Sequence, residues 1–194
     1  KWDKFNHKTI PLWVADMDFK SPPCITKSMK QRVNHAIYGY THAPENFREN
    51  ISLYLHEQYQ WEVDPEWIVV LPSVVSALYS IGINCTNSAS HVITPKPVYH
   101  HLRIAAENSG RSYDEAQLDV INNRILLTQS SLQRVVKKNT DLLYFCNPHN
   151  PGGTVFNKEE ITTLVEICEK HNIAICSDEI HCDLILQDDL EHFH

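Results

Sequence analysis

Between Trp67 and Cys176 short apolar runs alternate with longer stretches of helical periodicity, and this alternation constrains the fold more than any other feature. WIVVL (67–71), HVIT (91–94), LLYFC (142–146) and IAIC (173–176) are too short for buried helices. They are also apolar throughout rather than alternating, as strands buried on both faces are. One helix is expected to begin near Ser73 or Val74, and another to carry Tyr99, Leu102 and Ala106. A third begins after Asn157, where Asn157 and Glu160 form a capping box ahead of the stripe Ile161, Leu164, Val165 and Cys168. The expected fold is α/β: a mostly parallel sheet with helices on both faces. Upstream, a helix is expected from Ser21 to Val33, capped by Ser21, with Ile25, Met29 and Val33 on one face. Phe47, Ile51, Tyr54 and Leu55 mark another. Residues 1–45 then form an N-terminal arm and a linker to a smaller lobe, and residues 46–194 a large domain incomplete at its C-terminus.

The bulk properties narrow the partners. The 194 residues suffice for one substantial domain, and a net charge of −7 without a basic block argues against nucleic acid or an anionic membrane. No apolar stretch approaches the ~20 residues that span a bilayer. KWDKFNHKTI is neither a signal nor a transit peptide, and the missing initiator Met suggests an origin inside a longer protein. Six cysteines show no C-x-x-C pair and several lie in apolar runs, which predicts reduced thiols and a cytoplasmic protein. The twelve histidines are mostly scattered, with His100-His101 adjacent and His192-x-His194 at the terminus. No Cys/His set has zinc-ligand spacing, so no metal site is expected. There is no internal repeat.

In parallel sheets ligands bind beyond the carboxyl ends of the strands, so the chemistry should follow each strand. PSVV (72–75) opens a helix whose first N–H groups can hold an anion such as a phosphate; an ordinary turn capped by Ser73 is the other reading. In PKPVY (95–99), Tyr99 could stack on a flat ligand or simply pack on a helix face. CNPHNPGGTVF (146–156) can be neither helix nor strand, and it places the amide of Asn150 over the sheet edge. Asp178 ends the last strand, where a buried carboxylate needs a cation or several donors, unless it is a turn cap. Phosphate cradle, aromatic, amide and carboxylate together suit a flat, phosphorylated, cationic heterocycle, and pyridoxal 5′-phosphate is one.

The sequence resembles fold type I, aspartate-aminotransferase-like enzymes that use pyridoxal phosphate, and within them the cystathionine β-lyase/C–S lyase branch. PLWVADMDFKSPPCI (11–25), YGYT (38–41), LPSVV (71–75), NPHNPGG (147–153) and SDEIHCDL (177–184) carry the resemblance across nearly the whole chain. It implies that residues 46–194 belong to the cofactor-binding large domain. Ser73, Val74 and Val75 would bind the phosphate, Tyr99 would stack on the ring, and Asn150 and His181 would lie near the ring hydroxyl. Asp178 would pair with the pyridinium nitrogen. Tyr40 would reach a partner's phosphate across a homodimer interface, and Asp16 would border the amino-acid substrate. Two departures stand out. Gly152 replaces the usual Thr, which should loosen the loop slightly, and the family's Schiff-base lysine has no counterpart, since no lysine follows Lys170. The arginine that grips the substrate carboxylate is missing too. The implied activity is α,β-elimination of a cysteine-type amino acid, with these 194 residues an incomplete, inactive part. An aminotransferase on the same scaffold and a non-catalytic truncated remnant are the alternatives. A nucleotide-binding domain is disfavoured because no G-x-G-x-x-G follows a strand.

Overall fold

A computed structural model describes residues 1–5 and 8–194. The chain divides into two compact units, Lys1–Pro44 and Glu45–His194.

In the first unit, α1 spans Pro23–His35. Ser21 does not cap it: Pro22 occupies the N-cap position and makes no side-chain capping bond. With prolines at 22 and 23, helical φ is already set at the entry, and the helix begins two residues later than expected. Ile25, Met29 and Val33 form the expected stripe, and all three are exposed.

The second unit opens with α2 (Phe47–Tyr59) and a single 3₁₀ turn at Pro65–Trp67. The run 67–71 is not a strand. It pairs with no other strand among the described residues, and Val69 and Val70 stand exposed. β-branched composition favours extended backbone, but a strand exists only where a neighbour accepts its hydrogen bonds. Next come α3 (Val74–Asn84), β1 (His91–Lys96), α4 (His100–Asn108) and β2 (Ser112–Gln117). A small hairpin of β3 (Asp119–Ile121) and β4 (Arg124–Leu126) and the short α5 (Gln129–Gln133) lead to β5 (Thr140–Cys146), α6 (Lys158–His171) and β6 (Ala174–Asp178). β1, β2, β5 and β6 form one parallel sheet in the order β2-β1-β5-β6.

β5 shows how the sheet is covered. Leu142, Tyr144 and Cys146 point to one face and pack with Leu78 of α3 and with Leu102, Ala105 and Ala106 of α4. Leu143 and Phe145 point to the other, against Leu132 of α5 and Leu164, Ile167 and Cys168 of α6. The expected capping box closes the start of α6: Asn157 accepts from Glu160 N at 2.9 Å and Glu160 from Asn157 N at 2.9 Å. β6 departs from the expectation of burial on both faces. Cys176 and Asp178 are buried, whereas Ile175 and Ser177 are exposed on the opposite face.

The topology fixes where a ligand can sit. From β1 the chain crosses to β2 on one side, and from β5 it crosses to β6 on the other. The order therefore reverses between β1 and β5, which opens a crevice at their carboxyl ends.

Candidate cofactor site

Three loops leave the carboxyl ends of β1, β5 and β6, and hydrogen bonds lock them together. Tyr99, at the N-cap of α4, donates its backbone N–H to the Asn150 carbonyl at 2.8 Å, joining the loop after β1 to the loop after β5. Asn147 N donates to the Asp178 carbonyl at 3.1 Å and joins the loop after β5 to the end of β6. Tyr99, Asn150 and Asp178, picked out from sequence, thus lie on segments tied to one another at the carboxyl ends of the sheet. The Tyr99 ring is half-buried and lies 4.8 Å and 5.3 Å from the rings of His100 and His101.

The helix that would supply an anion site runs antiparallel to the strands. Its C-terminal end lies near the start of β2, where Arg111 donates to the Ile83 carbonyl at 3.1 Å, and Leu78 accepts from Tyr144 Oη at 2.7 Å midway along β5. The N-terminus of α3 therefore points toward the carboxyl ends, where Asp178 lies. Ser73 is its N-cap, its hydroxyl accepting from Ser76 N at 3.1 Å. The capped turn expected from sequence is therefore observed, and the cap leaves the N–H groups of Val74 and Val75 without intrahelical acceptors, free for an anion.

Asp178 is the decisive group. It is 4% exposed and forms no ion pair among the described residues; Ile180 N donates to its Oδ1 at 3.2 Å. Burial raises its pKa above the ordinary carboxylate value, only partly offset by that N–H and by nearby His181. With one backbone donor at Oδ1 and no ion pair, the carboxylate keeps acceptor capacity, and the protonated nitrogen of a pyridine ring would use it. The residues present therefore fit pyridoxal phosphate: a carboxylate seeking a cation, and a helix N-terminus toward the same strand ends.

Gly152 corrects one expectation. A Cβ there would lie 2.6 Å from His149 Nδ1 and 3.0 Å from Ile125 Cβ. The buried His149 ring fills the space a side chain would take, accepting from Gly152 N at 3.1 Å and donating from Nε2 to the Pro97 carbonyl at 3.0 Å. Glycine therefore lets the loop be pinned rather than loosened. Burial lowers the pKa of His149, in keeping with a neutral ring that accepts at one nitrogen and donates at the other. Sequence reasoning passed over His149, although its place between two Asn-Pro steps was a signal. It also passed over Asn147, whose Oδ1 accepts from Phe156 N at 3.1 Å. Asp16 and Tyr40 belong to the first unit, where both are exposed.

A family model described as aminotransferase class I and II matches residues 7–192. The chain belongs to that family. Among its curated relatives, the cystathionine β-lyase PatB of Bacillus subtilis is 33% identical over 96% of this chain and 50% of its own length. The cystathionine β-lyase of Corynebacterium glutamicum is 29% identical over 96% and 49%. Among solved structures of the family, OvoB superposes with a TM-score of 0.93 at 34% identity, covering 99% of this chain and 51% of its own. Cystalysin from Treponema denticola, whose crystal structure contains pyridoxal 5′-phosphate, gives 0.88 at 31%, covering 97% and 48%. The chain spans about half the length of these relatives.

Proposed function

We propose that the 194 residues are the cofactor-binding part of a pyridoxal-phosphate-dependent C–S β-lyase that converts cystathionine-like amino acids to pyruvate, ammonia and a thiol. The buried, unpaired Asp178 carries the cofactor reading, and the names of the relatives favour a lyase over an aminotransferase. In this reading Val74 and Val75 N–H groups and the Ser73 hydroxyl hold the phosphate, Tyr99 stacks on the ring, and Asn150 and His181 orient the ring hydroxyl. Asp178 keeps the ring nitrogen protonated; Tyr40 completes a phosphate site in a homodimer, and Asp16 borders the substrate. Bound there, the cofactor supplies an electron sink for the pair left when the α-proton is removed. Asp178 would hold a proton at the ring nitrogen, and the pinned loop would present the Asn150 amide to the ring hydroxyl. Such a sink would favour substrates whose β-substituent departs as a thiolate, a better leaving group than hydroxide.

The lysine that anchors the cofactor covalently lies, on this account, outside these 194 residues, so they are inactive by themselves. The free thiols and the absence of a helix long and apolar enough to cross a membrane, among the described residues, agree with a cytoplasmic site of action. The test uses the protein at the full length of its relatives. Incubated with cystathionine and no keto acid, it should release pyruvate, ammonia and a free thiol over many turnovers. Turnover that requires a keto acid and yields no thiol would replace the lyase with an aminotransferase.

A further inference from the structure

Glu179 follows Asp178 but lies on the other side of the strand end, beside the same cavity as Ile175 and Ser177. The cavity encloses ≈ 250 Å³ and is bounded also by Trp61 and His194. There the Glu179 carboxylate meets two imidazoles. His192 Nε2 lies 3.4 Å from its Oε2, and His194 Nδ1 is in contact with the same oxygen. One ligating atom from each of the three residues falls within 4.8 Å of the others.

The surroundings hold these groups in place. Trp61 stacks on His194 at 4.5 Å, and the Tyr59 ring meets His194 edge-on at 4.5 Å and His192 at 6.0 Å. His192 is 6% exposed, and its buried Nε2 makes no well-formed hydrogen bond, only the 3.4 Å approach to Glu179. A buried ring nitrogen held by a long contact to a single carboxylate oxygen is only partly compensated for its burial, and this one faces two other potential ligands.

We propose that Glu179, His192 and His194 form a binding site for a divalent transition-metal ion of the zinc class. Two imidazoles and one carboxylate suit zinc and its neighbours, whereas magnesium and calcium prefer oxygen alone. Ligand bonds of about 2.0–2.1 Å in a tetrahedron place donor atoms about 3.4 Å apart; His192 and Glu179 already have that separation, and the His194 ring has to draw back from the oxygen it now touches. Ligation through His192 Nε2 leaves the proton on Nδ1, so its 3.4 Å approach to Asn147 Nδ2 is given up. Three protein ligands leave one position for water or another small donor. The bound ion ties residues 192–194 to the end of β6, one residue from Asp178. The site stands independently of the lyase reading.

Calorimetric titration of the chelator-stripped chain with zinc chloride tests the site. One equivalent should bind, and His194→Gln or Glu179→Gln should each weaken binding tenfold or more, while His171→Gln, on the exposed end of α6, should not. Circular dichroism checks that each variant is folded. Imidazole ¹⁵N spectra of the unaltered chain give a second readout that needs no variant: zinc should shift two of the twelve histidines, His192 and His194. No saturable binding, binding undiminished in folded His194→Gln, or shifts confined to other histidines would each overturn the proposal.

Discussion

The sheet of the second unit and the segment Lys1–Pro44 use the same kind of pattern to opposite effect. Along β5 every apolar side chain is buried, and alternate residues feed two separate clusters. Along α1 an equally regular stripe of Ile25, Met29 and Val33 is exposed, as are Leu12, Phe19 and Tyr40 elsewhere in the same unit. Periodicity therefore specifies which face of an element is apolar, but a partner surface decides whether that face is buried. WIVVL makes the same point: its composition is that of a strand, but with no paired neighbour it forms none.

The contrast can be broken by substitution, and the largest effect belongs to β5. Leu143→Ala, at a fully buried position, should lower stability by about 2–5 kcal/mol in urea denaturation; a loss no greater than that of a surface change would refute the packing described for the sheet. Gly152→Ala comes next. With His149 and Ile125 already against the missing Cβ, it should cost about 1–3 kcal/mol, and a neutral result would mean that His149 does not pin the loop. Asp178→Asn should act in the opposite direction in the cofactor-free chain. Because burial raises the folded-state pKa of Asp178, the native chain retains a proton that the unfolded chain has released. That contribution to stability is complete below the ordinary carboxylate pKa and is lost as pH rises through the raised value. The variant should lack this slope and be at least as stable near neutral pH; identical pH profiles for the two chains would contradict the burial argument. The smallest effect is expected in the first unit, where Met29→Ala should change stability by no more than about 0.5 kcal/mol.

What the sequence disclosed follows the reach of each signal. Three of the four expected strands and the capping box of α6 depend on local pattern and stand where expected. β2, SYDEAQ, escaped notice because an edge strand tolerates polar side chains, so no apolar run marks it. The β3–β4 hairpin also escaped, although Asn122 and Asn123 both adopt positive φ, as a tight two-residue turn requires. Asp178 and Asn150 could be picked out because strand ends are where parallel sheets place ligands. The grouping of Glu179 with His192 and His194 could not be found by spacing, since only the path of the chain back to the end of β6 brings them together.

The central claim is that Asp178 is a buried carboxylate awaiting a cationic ring. The full-length protein, loaded with pyridoxal phosphate labelled with ¹⁵N in the ring, allows the protonation state of that nitrogen to be read directly by magnetic resonance. The account predicts a protonated nitrogen at neutral and mildly alkaline pH, and its loss in Asp178→Asn together with most of the turnover. Breaking such a buried pair costs about 3–5 kcal/mol, or roughly two to four orders of magnitude in rate if that loss falls on the transition state. A ring nitrogen unprotonated in the unaltered protein, or equally protonated in the variant, would contradict it.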